Sequence, residues 1–404
     1  MSLKRKGRWL AAWVLAVIAG VPAWAQGLRD AQIFAPAEPS HYGGGVRANQ
    51  GFFFVYDGLY WTISPPQKAT IGVDTNTLAV QRQVWWYADP NATSTQGSTM
   101  DTSFLSSDFT FGHRIELGHI HEHTGWMFSY FRLHELSQAR TLAGVQVYFN
   151  DETWGVNNLP HLYGDVDPGA GVNLQNLGVQ FDILTAANYI KVWGTEFDLL
   201  VRTHPRQRGG MWEWFFGLRY IEFHEQFDIN AIGDPPTGTG DEPGTVLADT
   251  YLTSYAKNNL FGPQLGLRWF RANDRWRLSA EGKFMAAWNS QNVAMHGVVG
   301  SELQGNFPRP AFWPIAMQAT NFAYREYMSV FSPVVELRLE MAFQLTRSVA
   351  FRVGWNGMYI DNLARPSRMI DYTLGTTSVM GILRNLNRDL VFMEGVAAGI
   401  EINR

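Results

Sequence analysis

The sequence has no cysteine. That absence removes a disulfide framework, a thiolate metal centre and a thiol nucleophile together. Charge is also scarce. Asp, Glu, Lys and Arg make up 17% of the chain, against roughly 25% in an ordinary soluble domain. With a formal net charge of −4 and a pI near 6.2, the basic excess of a general nucleic-acid binder is missing, and no nucleic-acid partner is expected. Long apolar runs are absent after the N-terminal segment. No later stretch offers the roughly 18 consecutive apolar residues that a spanning helix needs.

What the chain does have is aromatics and glycine: 26 Phe, 16 Trp, 15 Tyr and 39 Gly in 404 residues. That aromatic load excludes a disordered chain. Yet the mean hydropathy is only −0.16. A transmembrane β-barrel has this profile, because an apolar outer face and a polar inner face cancel in the average.

Residues 1–25 read as a secretory signal peptide. Lys4, Arg5, Lys6 and Arg8 form a positive start, Trp9 to Val21 an apolar stretch, and Ala23-Trp24-Ala25 a small-residue cleavage site. Residues 26–50, with Pro36, Pro39 and Gly43-Gly44-Gly45, read as a flexible leader without periodicity. The remainder, 51–404, is expected to form one outer-membrane β-barrel.

Its dominant signal is period-2 alternation, the mark of strands with two different faces. In 211–227, Trp212, Trp214, Phe216, Leu218 and Tyr220 oppose Glu213, Gly217, Arg219 and Glu225. In 276–289, Trp276, Leu278, Ala280, Phe284 and Trp288 oppose Arg277, Ser279, Glu281 and Lys283. In 334–345, Val335, Leu337, Leu339 and Met341 oppose Glu336, Arg338 and Glu340. Similar patterns occur at 103–118, 188–203, 258–270, 348–360 and 390–403. Phe52–Ser64 is apolar on both faces, and Trp126–Leu136 alternates loosely.

Collected from the polar faces, the candidate lumen charges are Asp108, Arg114, Glu116, Glu196, Asp198, Arg202, Glu213, Arg219, Arg268, Arg277, Glu281, Lys283, Glu336, Arg338, Glu340 and Arg352, and Glu225 and Glu401 lie on the same polar faces. Their near balance suits a lumen lined by ion pairs. Trp61, Trp126, Trp212, Trp269, Trp276, Trp288 and Tyr359 sit toward strand ends, where interfacial girdles belong.

The links between strand candidates alternate long and short in strict order. Outer-membrane barrels show this arrangement, with short periplasmic turns and long outer loops. Ten strands in an antiparallel up-and-down barrel follow. Two apolar runs inside the third link, Val145–Phe149 and Leu177–Leu184, could be a protruding hairpin or two further wall strands, giving twelve.

Catalytic and metal signals are thin. His119, His121 and His123 alternate on an extended segment and, with His113, could offer imidazoles to a metal. A polar periplasmic turn explains them more simply, and no metal or other cofactor is expected. No nucleophile motif surrounds Ser279, Ser329 or His296. Carboxylate pairs such as Glu196/Asp198 and Glu336/Glu340 read as partners of neighbouring arginines, and Arg365-Pro366 reads as turn chemistry. The expectation is therefore a protein that is not an enzyme.

Several elements of the second half are more specific. They are Gly217-Leu218-Arg219-Tyr220 with Glu225, Asn259-Leu260-Phe261-Gly262-Pro263-Gln264-Leu265-Gly266, and Gly282-Lys283-Phe284-Met285-Ala286 followed by Gln291 and Gly297. Phe331-Ser332-Pro333-Val334-Val335-Glu336 and Asn362-Leu363-Ala364-Arg365-Pro366-Ser367-Arg368-Met369-Ile370-Asp371 complete the set. In this order they resemble the planctomycete outer-membrane β-barrel porin family, over roughly 210–404 and more loosely 50–135. The resemblance implies an outer-membrane barrel with a pore role and no catalytic residues.

The expected partners are outer-membrane lipid and small hydrophilic solutes passing through a passive pore. A closed barrel working through its outer loops is the alternative, because wide aqueous channels go with roughly 16–18 strands. A barrel enzyme is the remote third reading.

Overall fold

The computed structural model describes residues 51–72, 98–151, 176–203, 210–233, 249–273, 275–300, 320–346, 348–374 and 379–403. The segments read as a signal peptide and a leader, 1–25 and 26–50, lie outside the described residues. Twelve strands run in chain order: β1 (Gly51–Ile63), β2 (Phe109–His121), β3 (Thr124–Asp151), β4 (Asn176–Arg202), β5 (Gly210–Ile232), β6 (Thr250–Asn273), β7 (Trp276–Val299), β8 (Thr320–Gln344), β9 (Val349–Leu363), β10 (Ile370–Leu374), β11 (Val379–Ile382) and β12 (Asp389–Asn403).

Ten of them form the wall. Neighbours from β1 to β9 pair antiparallel in sequence, β9 pairs with β12, and β12 returns to β1, for example Trp61 opposite Gly395. The sheet is thereby closed, so no wall strand presents an unpaired edge to lipid. The twelve-strand alternative is corrected. Val145–Phe149 and Leu177–Leu184 are not separate strands but the outer ends of β3 and β4, paired in one continuous ladder through Val145 opposite Phe181. The two remaining strands, β10 and β11, form a hairpin inside the long β9–β12 link and are not wall strands.

The wall has two heights. β1, β2, β9 and β12 hold 13 to 15 residues, whereas β3 to β8 hold 23 to 28. A tilted strand needs about 9–11 residues to cross a bilayer. The tall strands therefore continue beyond it, and their outward residues record where it ends. On β5, Trp212, Trp214, Phe216, Leu218 and Tyr220 face outward, and above them Glu222, His224, Gln226, Asp228 and Asn230 do. One hydrogen-bonded row across the sheet, Tyr130–Thr195–Tyr220–Phe261–Trp288–Phe331, marks the top of the apolar band from β3 to β8. Above that row stands an outer tier with a polar exterior.

The β10–β11 hairpin closes this tier on its low side. β10 runs parallel to the end of β3, with Thr373 opposite Asn150. β11 lies against β7 and β8, where Tyr324 Oη donates to the Val379 carbonyl at 3.0 Å. The enclosed space is apolar: Ile71, Phe149, Phe181, Phe227, Leu252, Met295, Ile370 and Tyr372 are among its buried residues. Each large apolar side chain removed from water contributes about 1.5–3 kcal/mol, so the tier has a core of its own.

Trp61 is a second correction. It is not in the girdle; it points inward and is 1% exposed. In β1 the inward residues are Val55, Asp57, Leu59, Trp61 and Ile63. Both faces of this strand are apolar, so alternation could not say which way Trp61 turns. The other girdle candidates face outward.

Candidate functional site

The lumen is stacked in layers. The lowest, nearest the periplasmic turns, is a lattice of ion pairs. Inward positions on alternating strands can hold only side chains that fill the narrow interior. Here they are long charged ones. Arg338 on β8 is the hub: its guanidinium reaches Glu336 at 2.5 Å, Glu116 at 2.6 Å, Glu281 at 3.7 Å and Glu196 at 3.9 Å. Arg219 bonds Glu336 at 2.5 Å, and Lys283 bonds Glu196 at 2.6 Å and Asp198 at 3.3 Å. Arg352 holds Glu340 at 2.6 Å, and Arg114 holds Asp57 at 2.8 Å. Arg268 joins Glu281 to Glu213, Arg202 pairs with Glu213, and Arg277 pairs with Glu401.

Several of these bonds cross the barrel. β2 and β8 are separated by three wall strands, yet Arg338 meets Glu116 and Arg114 approaches Glu340 at 3.5 Å. Close packing of wall strands makes room for the carboxylates. A Cβ on Gly217 would lie 2.1 Å from the Phe197 carbonyl and 2.2 Å from Asp198 Oδ1. Glycine is the residue that lets β4 and β5 approach there. Within the lattice is a cavity of about 50 Å³ bordered by Glu116, Glu213, Arg268, Ser279, Arg352 and Glu401. One water needs about 10–15 Å³ of such space, so the cavity has room for several.

An apolar layer seals the lattice from above. Leu59, Trp61, Phe131, Ile190, Ile221, Phe223, Leu260, Met285, Met358 and Met393 are all buried in it. Over this layer the β9–β12 link folds into the lumen. Its anchor is Arg365, fully buried, which donates to both oxygens of buried Glu225 at 2.5 and 2.9 Å. Arg365 also donates to the Ser64 carbonyl at 3.0 Å and lies over the Phe223 ring, and Asn188 donates to Glu225 at 2.9 Å.

The backbone on either side is clamped as well. The Asn362 carbonyl accepts from Asn289, Gln291 and Ser332 at 3.0 to 3.1 Å. Asn258 makes a two-way bond with Ala364, donating to its carbonyl and accepting from its amide. Asn362 adopts φ 57°, the left-handed conformation that asparagine tolerates better than most residues. The turn it makes sends the link inward.

A family model described as putative beta barrel porin-7 matches residues 100–394. The chain belongs to that family. No curated protein matches the sequence. Among solved structures, the chain is similar to the outer-membrane protease OmpT from Escherichia coli at 9% identity, with 88% of this chain and 97% of that one covered and a TM-score of 0.40. It is similar to the toluene transporter TbuX from Ralstonia pickettii at 10% identity, covering 92% and 98%, with a TM-score of 0.22. A Pseudomonas aeruginosa FadL homologue matches at 8% identity, covering 87% and 89%, with a TM-score of 0.21. Similarity this low says nothing about activity.

Of the sixteen candidate lumen charges, all but Asp108 lie in the lumen lattice. Asp108 precedes β2 by one residue, is exposed, and bonds Ser106 and Gln138 at the outer rim. Its parity in the alternation is right, but the strand ends before reaching it. One lattice member is invisible to the alternation: Asp57, hidden in a strand apolar on both faces; Glu401, read on the polar face of 390–403, joins the lattice through Arg277. The pair Glu225–Arg365 was missed as a pair, because 140 residues separate its members and Arg365 lies outside any alternating segment. His119 faces outward and rests on the Phe52 ring at 4.5 Å. Among the described residues no group of three His, Asp or Glu is placed to hold a metal.

His224, on the polar exterior of the outer tier, gives a titratable probe of this family member. Partial burial pushes its imidazole below 6.5, Glu222 pulls it back up, and Lys191 and Lys257 lower it again. Histidine NMR on folded protein should place the His224 midpoint below 6.5. Glu222→Gln should move it further down and Lys191→Gln back up. A folded-state midpoint below the unfolded one means the unfolded chain takes the proton first as pH falls, so this group costs stability below pH 6.5 and contributes nothing above it.

Proposed function

We propose that this outer-membrane barrel is closed to solutes in its resting conformation, is not an enzyme, and works through its outer tier and loops. The observation that carries this reading is the layered filling of the lumen. An aqueous path would have to pass ion pairs that span the barrel, then the apolar layer around Trp61 and Phe223, then the clamped link at Arg365. Each layer blocks by a different mechanism: paired charge, dry packing and inserted backbone. A passive route for small hydrophilic solutes requires all three to be absent at once. The tall, polar-sided tier built from β3 to β8 supplies a rigid platform for the long links on the outer side.

Planar-bilayer recording of the purified full chain tests the proposal. The expected result is insertion without discrete conductance steps. Steps whose size follows salt concentration would replace the closed reading with the passive pore, and Arg338→Met would then show whether the lattice sets ion preference.

A further inference from the structure

We propose that the outward face of β3, β4 and β5, just above the apolar band, is a binding site for the phosphate of an anionic membrane lipid. This stands apart from the state of the lumen. The site begins with the row that ends the band. Trp193 on β4 stands between Tyr130 and Tyr220, with ring centres 6.3 and 5.2 Å away. Aromatic rings at this height sit at the junction of acyl chain and headgroup. Arg132 on β3 stands directly opposite Trp193, one row above Tyr130, and Lys191 on β4 lies one row higher again, at the level of the headgroups.

Three observations make this a site rather than a decorated surface. First, it has a cleft. A hollow of about 350 Å³ is bordered by Tyr130, Arg132, Lys191, Trp193, Glu222 and His224. Second, the cleft has a structural origin. The β3–β4 register slips between Leu133 and Leu136, so one extra residue on β3 turns both His134 and Glu135 outward. A bulge of this kind bends the strand and re-aims side chains.

Third, the charges are unequally engaged. Lys191 is paired with Glu135 at 2.7 Å, and Lys257 with Glu222 at 2.9 Å. Arg132 is exposed and has no acidic partner among the described residues. A planar guanidinium offers a fork of donors that matches phosphate oxygens bidentately. A second hollow above, of about 290 Å³, sets Glu135 and Asp228 against Lys191, whereas the lower cleft sets Arg132 and Lys191 against Glu222, so the lower one has the positive balance. The phosphate is thereby confined to the lower cleft, beside the rings that would contact the lipid's glycerol and chains.

Native mass spectrometry of the folded full chain in non-ionic detergent tests this with phosphatidic acid and phosphatidylcholine of matched chains as probes. Wild type should retain phosphatidic acid as a single adduct, about tenfold more than phosphatidylcholine. Arg132→Glu should lose about tenfold of that retention, and Arg132→Lys should keep an intermediate level, because lysine supplies charge without the fork. Lys191→Gln should weaken it as well and serves as the second variant if Arg132→Glu does not fold. Excess inorganic phosphate should leave the lipid bound. Equal retention of the two lipids, or retention unchanged in Arg132→Glu and Lys191→Gln, overturns the site. Full displacement by inorganic phosphate overturns the lipid assignment in favour of a free anion.

Discussion

Replacing Arg365 with alanine is expected to destabilise the barrel by about 3–5 kcal/mol, the usual cost of removing one partner from a buried ion pair. The cost comes from what is left behind. Glu225 is fully buried, and its two oxygens take their bonds from Arg365 and Asn188. Without the guanidinium, a carboxylate remains in a site walled by Phe223, with one amide for company. The link loses its bond to the Ser64 carbonyl as well. Two readouts follow. The temperature at which the protein loses its compact, heat-modifiable migration should fall. Proteolysis within 361–388 should become faster in folded protein, because the anchor of that link is gone. Arg365→Met combined with Glu225→Leu should recover most of the loss, since an apolar pair of similar volume leaves no charge unpaired. An alanine variant with wild-type melting and wild-type protease resistance would show that the anchor does not hold the link.

Reversing Arg338 to glutamate is expected to have the largest effect. The wild-type side chain stands among Glu116, Glu196, Glu281 and Glu336. The variant puts a fifth carboxylate in their midst. Like charges about 4 Å apart repel by roughly 4 kcal/mol each at the effective dielectric of a protein. The sum rivals the whole stability of a typical domain, about 5–15 kcal/mol. The prediction is that Arg338→Glu does not reach the heat-modifiable form when refolded into detergent. Arg338→Met should fold with reduced stability, because Arg219, Lys283 and Arg352 still neutralise part of the cluster. Refolding of Arg338→Glu with wild-type yield and melting would mean that the lattice is hydrated and screened, and with it the sealing argument would weaken.

How far the sequence could be read differs from strand to strand, for a physical reason. Where one face is apolar and the other charged, as in β5, β7 and β8, period-2 alternation reports strand, facing and lumen membership at once. The charges read on their polar faces all point inward, and all but Glu225, which binds Arg365 above the apolar layer, entered the lattice. Where both faces are apolar, as in β1, the same rule is silent, and Trp61 and Asp57 went unassigned or misassigned. Strand length was read short for a related reason. Above the membrane the outward face turns polar while the inward face stays apolar, as with His224 and Phe223 on β5. The alternation continues across that boundary, but the lipid band that defined it does not. A bulge, such as the one at Leu133–Leu136, breaks parity altogether and hides what it turns outward.

Composition and local alternation were enough to give an all-β barrel of ten or twelve strands, the order of short and long links, and nearly every lumen charge. These properties are local: each depends on residues within one strand or one turn. Whether the lumen is open depended on contacts between residues that lie far apart in the chain. Arg338 meets Glu116 across 222 positions, and Arg365 meets Glu225 across 140. A row of alternating charges is the same row whether it lines water or locks against its opposite wall. Barrel diameter, side-chain reach and the inward turn at Asn362 decide between those outcomes, and they exist only once the sheet has closed.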